Sequence, residues 1–357
     1  MKTVDHKCPS CNASINYNPK EKNWVCEYCG SKFTLEQLEE NEKKYEETNV
    51  NNSKELKKEK TKEKETNTEE LDEYICNDCG AQIVADKNTA ATFCVYCKNT
   101  AILKSRLADK FAPSKIIPFT KTKEDAIKAF QSVGKGKFLM PKEFSDPKNI
   151  HELTGVYIPF WLYSCKMKGH VSGKGTKVMT WATSDYIYTK TDTYHVERDG
   201  TYNFENIPVD GSVRFNDAIM NSIEPFDYSE LIDFSYSYLS GFLAEKYDVE
   251  KNEAKKITID RAAQSTYQDL QAKTVGYNTF IPDDKKVNVE DETIDYVLLP
   301  VWMVNIKYDG KMHTFAMNGQ TGKMIGDIPY SKGKAFVFAL ILFVVIFAIA
   351  ALITYFV

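Results

Sequence analysis

The sequence predicts two small β modules stapled by zinc, an α+β domain with an internal duplication, and one C-terminal transmembrane helix. Three observations carry that expectation. Eight of nine cysteines form four Cys-x-x-Cys hooks: Cys8/Cys11, Cys26/Cys29, Cys76/Cys79 and Cys94/Cys97. The long stretch after them is rich in Tyr, Thr, Val and Ile, interrupted by helical patterns. Residues 335–357 are 23 consecutive uncharged, almost wholly apolar positions.

A chain of 357 residues with 43% hydrophobic and 13% aromatic content has room for two or three modules and at least one real core. Its net charge of −4 gives no overall basic character that would point to nucleic acid. The opening "MKTVDHKCPSC" has no apolar segment, so no secretion signal is expected. The cysteines are then expected in a reducing compartment, as thiolates available to metal.

The first module spans residues 1–35. A Cys-x-x-Cys turn points two sulfurs to one side of a small loop, and a second hook completes a tetrahedron around Zn²⁺. Asn12 and Gly30 follow the two hooks and tolerate the positive φ that such a tight turn favours. The 14 residues between hooks suit a hairpin of "SINYN" with "NWVC". Redox chemistry usually places one hook at a helix N-terminus, whereas these come in matched pairs.

Residues 36–73 are dense in mixed charge and poor in apolar residues, which predicts a flexible spacer. Residues 74–104 then repeat the first module. Adding 68 maps Cys8, Cys11, Cys26 and Cys29 onto Cys76, Cys79, Cys94 and Cys97, and Ile15 onto Ile83. Here Gly80 suits its turn, Lys98 fits its own less well, and the hairpin would pair "QIVAD" with "ATFC". Each module is too poor in apolar residues to fold alone. Zinc, worth on the order of 10–16 kcal/mol in small metal-dependent peptides, would carry the folding. Four thiolates leave no open position, so two structural Zn²⁺ ions are expected.

The α+β domain spans 105–333. Thr122 with Asp125 announces a helix whose apolar face is Ala126, Ala129, Phe130 and Val133. "VYIPFWLYSCKM" and "DYIYTKTDTYHV" predict strands. Asp199-Gly200, Asp309-Gly310, the 318–322 "NGQTG" and the 169–175 "GHVSGKG" all predict turns. Two helices are expected near 228–247 and 250–273, the first with Leu231, Phe234, Tyr238 and Phe242 on one face. An echo pairs "IIPF" (116–119) and "VYIPFWLY" with "IEPF" (223–226) and "VLLPVWMV", predicting two related halves.

As a helix, residues 335–357 would be roughly 35 Å long, enough for a hydrocarbon core of about 30 Å. A core helix of a soluble protein seldom lacks a polar face for six turns. Lys332 and Lys334 precede the span, which predicts a tail-anchored, single-pass protein of the cell membrane with its bulk in the cytoplasm.

The C-x2-C…C-x2-C pattern resembles the zinc ribbons of transcription factor IIB type, over about 30 residues per copy; this implies a fold rather than a function. The whole arrangement resembles a bacterial family of membrane-anchored zinc-ribbon proteins, through the 155–161 "GVYIPFW" and the 318–329 "NGQTGKMIGDIP". That resemblance implies an envelope-stress setting with phage-shock-protein-A-like and flotillin-like (SPFH) partners. Some relatives carry replication or helicase labels.

No catalytic constellation stands out. The five histidines show no metal-ligand spacing, "HELTG" lacks the second histidine of a zinc protease, and Cys165 reads as a buried structural thiol. Residues 1–35 carry a surplus of two positive charges and 74–104 a surplus of one, too few for strong phosphate-driven binding. The expected function is therefore a non-enzymatic, membrane-tethered adaptor that docks protein partners. The alternative is a membrane-tethered nucleic-acid-binding or replication-associated protein.

Overall fold

The computed structural model describes residues 7–41, 43, 71–75, 82–86, 89–93, 100–103, 107, 111–215 and 217–356. At the N-terminal end, β1 (Asn16–Asn18), β2 (Asn23–Val25) and β3 (Lys32–Phe33) form an antiparallel three-stranded sheet. Tyr17 pairs with Trp24, as the expected hairpin requires. Helix α1 (residues 35–41) follows, entered through Thr34, whose hydroxyl accepts from the Gln37 amide while its own amide donates to Gln37. Leu38 is buried in the main core, and Glu39 accepts a bond from Ser235. The expected spacer at 36–73 thus opens on a docked helix, and it ends inside β4 (Leu71–Ile75).

The strands of 74–104 behave differently from their expected copies. β5 (Gln82–Asp86) pairs with β4, while β6 (Thr89–Phe93) pairs with β7 (Thr100–Ile102). The hairpin expected between the 82–86 and 91–94 stretches does not form among the described residues. β6 instead pairs with a strand of the α+β domain and extends its sheet.

That ten-stranded sheet is built on two long antiparallel strands, β9 (Ile150–Ala182) and β13 (Thr279–Tyr308). In their middles, Val156–Tyr163 and Tyr296–Val301 are buried without the alternation of a half-exposed strand, because both faces are covered. β8 (Lys115–Ile116) leads into α2 (Lys123–Ser132), which has the expected Thr122/Asp125 capping box and buries Ala126 and Phe130. β10 (Ile187–Asp210) returns along β9, and α3 (Asp217–Ser222) follows. β11 (Ile232–Asp233) flanks β8, and β12 (Leu243–Glu245) lies beside β9. The second expected helix is present as α4 (Lys251–Ala272), burying Ala254, Thr258, Ala262, Thr266 and Leu270 at helical spacing. β14 (Lys311–Asn318) and β15 (Met324–Gly326) close the sheet, and α5 (Lys332–Phe356) leaves it.

Two expectations are corrected. The stretch 228–247 is not a helix but two 3-10 turns with β11 and β12 between and after them. Asp227 and Ser235 accept from the Ser229 and Ser237 amides, local bonds that compete with a helical ladder. Asp199-Gly200 and the 169–175 glycine stretch are not turns; they face each other inside the β9–β10 ladder, Asp199 opposite His170 and Gly200 opposite Gly169. At Gly173 a β-carbon would sit 2.2 Å from the Ile281 carbonyl, so glycine there permits the close approach of β13. The 223–226 stretch forms no strand, and of 116–119 only Ile116 does, as the end of β8. The Asp309-Gly310 and 318–322 turns are where the sequence puts them, with Asp309 and Gly310 both at positive φ.

One bonding pattern occurs twice. β8 runs parallel to β13, with Lys115 opposite Val297, and β12 runs parallel to β9, with Leu243 opposite Val156. The Trp161 indole donates to the Val249 carbonyl just before α4; the Trp302 indole donates to the Lys121 carbonyl just before α2, both at 2.9 Å. Gly211 donates to Pro159 as Gly319 donates to Pro300. The Val249 and Lys121 amides in turn donate to Gly211 and Gly319.

Candidate metal centre

Two turns of the N-terminal module bring four thiols together. The Asn12 amide donates to the Cys8 carbonyl at 2.8 Å and the Gly30 amide to the Cys26 carbonyl at 2.9 Å, closing a tight knuckle after each hook. Asn12 (φ 63°) and Gly30 (φ 73°) both take the left-handed conformation read from the sequence. Cys8 and Cys11 sit on the first knuckle, Cys26 and Cys29 on the second, and the β1–β2 hairpin holds the two face to face.

The four sulfurs lie within 4.8 Å of one another, with Cys8–Cys29 at 3.6 Å and Cys11–Cys26 at 3.5 Å. Zn–S bonds of about 2.3 Å at tetrahedral angles require sulfurs about 3.8 Å apart. The set therefore fits one tetrahedral metal ion with four protein ligands. Among the described residues no other His, Cys, Asp or Glu group converges in this way.

The thiols are unequal. Side-chain and backbone hydrogen bonds with Ser31 hold the Cys29 thiol down to about 6. At Cys11 the Ala13 backbone bond acts the same way, but desolvation and the three neighbouring sulfurs outweigh it and push the thiol up to about 12. Four sulfurs this close share protons poorly, and a dication replaces those protons with one charge common to all. Cys76, Cys79, Cys94 and Cys97 lie outside the described residues, as does His6.

The module is seated on the α+β domain. Trp24 is 2% exposed and packs against Tyr17 and Tyr238, both ring centroids 5.0 Å away. Its indole donates to the Ser237 carbonyl, and the Tyr17 amide donates to Ser240. Nothing in the sequence pairs 17–24 with 237–240; the one clue is the aromatic richness of both. On the outer side, Tyr28 is 85% exposed between Cys26 and Cys29.

The other candidates have structural surroundings. Cys165 is buried with Tyr163, Met167 and Ala262, and burial followed by Glu292 raises its thiol. The 318–322 loop is a clamp: Asn318 donates to the Ile223 and Pro225 carbonyls, and Gln320 to Asp227 and Glu230. His170 and His195 each pair with one carboxylate, Asp199 and Glu197, and His313 stands edge-on to Phe144. Within Lys332–Tyr355 of α5 an 18-residue stretch has a mean hydropathy of 3.4 and none of it is buried, so the helix is long and apolar enough to cross a membrane.

No family model matches the chain, and no solved structure matches it. A protein of Bacillus subtilis (strain 168) described as "Uncharacterized protein YdjG" is 34% identical to it over 331 residues, covering 93% of this chain and 92% of that protein.

Proposed function

Since the chain belongs to the family of YdjG, and runs nearly end to end with that relative, we propose that it is a membrane-tethered zinc-ribbon adaptor. It docks protein partners at the cytoplasmic face of the membrane in which α5 is anchored. Each four-cysteine module is a ribbon holding one structural Zn²⁺, the second through Cys76, Cys79, Cys94 and Cys97. The doubled bonding pattern around Pro159/Trp161 and Pro300/Trp302 supports an internally duplicated domain as the platform.

The observation that carries this reading is Tyr28. A metal-closed knuckle cannot itself do chemistry, because four thiolates fill the coordination sphere. It can hold an aromatic side chain rigidly in water, and rigid, exposed aromatics are favoured anchors of protein interfaces. An envelope-stress assembly with phage-shock-A-like or SPFH-domain proteins is the setting suggested by the resemblance of the sequence.

A photo-crosslinking residue in place of Tyr28, in the full chain in intact membranes, tests the reading. The expected result is a protein adduct that disappears when Cys8→Ser/Cys11→Ser is added. Adducts unchanged by that pair, or none at all, would overturn it.

A further inference from the structure

Residues 133–141 join α2 to a 3-10 turn at Lys142–Ser145 and lie against the first turns of α5. Two hydrogen bonds fix them there: the Ser331 amide to the Leu139 carbonyl at 2.8 Å, and Lys334 Nζ to the Met140 carbonyl at 2.7 Å. Met140 turns inward beside Phe130 and Phe144. Its neighbours turn outward, Phe138 being 62% exposed with its ring 6.0 Å from that of Phe338 in α5. Leu139, Lys135 and Lys137 are exposed beside it.

Resting on the reading of α5 as a membrane span, we propose that this loop is a second membrane contact. Phe138 and Leu139 enter the interface beside Phe338, while Lys135, Lys137 and Lys332 meet anionic lipid head groups. Phe338 lies about 9 Å along the helix from Lys332, the depth to which interfacial apolar side chains reach. Paired apolar residues flanked by lysines, continuous with a hydrophobic helix, match a bilayer boundary better than a protein surface. Tyr330, also exposed, is the kind of aromatic that settles at that level. The adjacent recess of about 950 Å³ mixes Glu143, Asp309 and Asp327 with Lys311, Lys332 and Lys334. Its charges largely cancel, so the head-group preference resides in the loop.

The test uses the full chain in phosphatidylcholine vesicles, with and without phosphatidylglycerol, containing lipids brominated at shallow or deep acyl positions. Phe138→Trp adds an indole whose emission, after subtraction of the wild-type signal, is expected to be quenched by shallow bromines. Adding K135E and K137E should cut that quenching at least about twofold in the phosphatidylglycerol vesicles. Phe343→Trp, midway along α5, should be quenched by deep bromines. An unquenched Trp at 138 with a quenched one at 343 overturns the loop contact alone. No quenching at either position overturns the span and the contact together, and indifference to the lysine changes overturns the head-group preference.

Discussion

The indole of Trp24 donates to the carbonyl of Ser237 at 2.8 Å, tying the cysteine module to a backbone turn 213 positions away. The bond is buried, and Trp24 is among the largest fully buried side chains of the protein, packed in its main core. Trp24→Ala is expected to lower unfolding free energy by about 3–5 kcal/mol, and Trp24→Phe by about 1–3 kcal/mol. Denaturant unfolding of the detergent-solubilised chain measures both. Equal, negligible losses would mean that the module is not held by this residue.

Metal content gives a second expectation. The purified chain should hold two zinc ions, and Cys11→Ser/Cys26→Ser should remove one of them. Elemental analysis counts the ions. Cobalt substitution reads the ligands, since tetrahedral thiolate coordination gives intense sulfur-to-metal absorption that the double variant should halve.

Gly173 should tolerate no side chain. An added β-carbon would meet backbone atoms of Ile281 and Pro282, which cannot swing aside as a flexible side chain would. Gly173→Ala is expected to cost about 1–3 kcal/mol and to raise amide exchange along the β9–β13 ladder around 170–176. Gly136→Ala, with open space at its β-carbon but a φ of 77°, should act through local strain and leave that ladder protected.

Glu224 provides a pH dependence. Burial raises its carboxyl from 4.5 to about 7, against the opposing pull of Arg261 and Lys323. A carboxyl raised on folding favours the neutral form in the native state. Its contribution is therefore most favourable at low pH and is lost as pH rises from the ordinary carboxylate range through about 7. Glu224→Gln, fixed neutral, should be more stable than wild type at pH 8 and indistinguishable from it at pH 4. Thermal melts at the two pH values decide the matter.

Local chemistry was legible in the sequence wherever neighbours in the chain settle it. The Asn12 and Gly30 knuckles, the Thr122/Asp125 capping box and the Asp309-Gly310 turn each depend on a few adjacent residues. The apolar run of α5 was equally plain. What failed was decided at a distance. Glycines 169, 173 and 175 signal a turn until α4 is seen against the first, β13 against the second and Tyr277 against the third. Leu231, Phe234, Tyr238 and Phe242 have helical spacing, but β8, β9 and Trp24 each claim a different part of that stretch. The Pro-aromatic echo predicted two related halves, and β8 and β12, only two and three residues long, leave too little sequence to align such halves.

The exchanged indole bonds have a consequence for how the domain comes apart. Trp161, on the strand that follows α2, secures the entrance of α4; Trp302, on the strand that follows α4, secures the entrance of α2. Each half thus supplies the latch of the other, and neither can loosen without releasing its counterpart. Melting should be all-or-none across 115–319, with no species in which one half survives. A protease nick between the halves should leave two fragments that stay associated and are lost together.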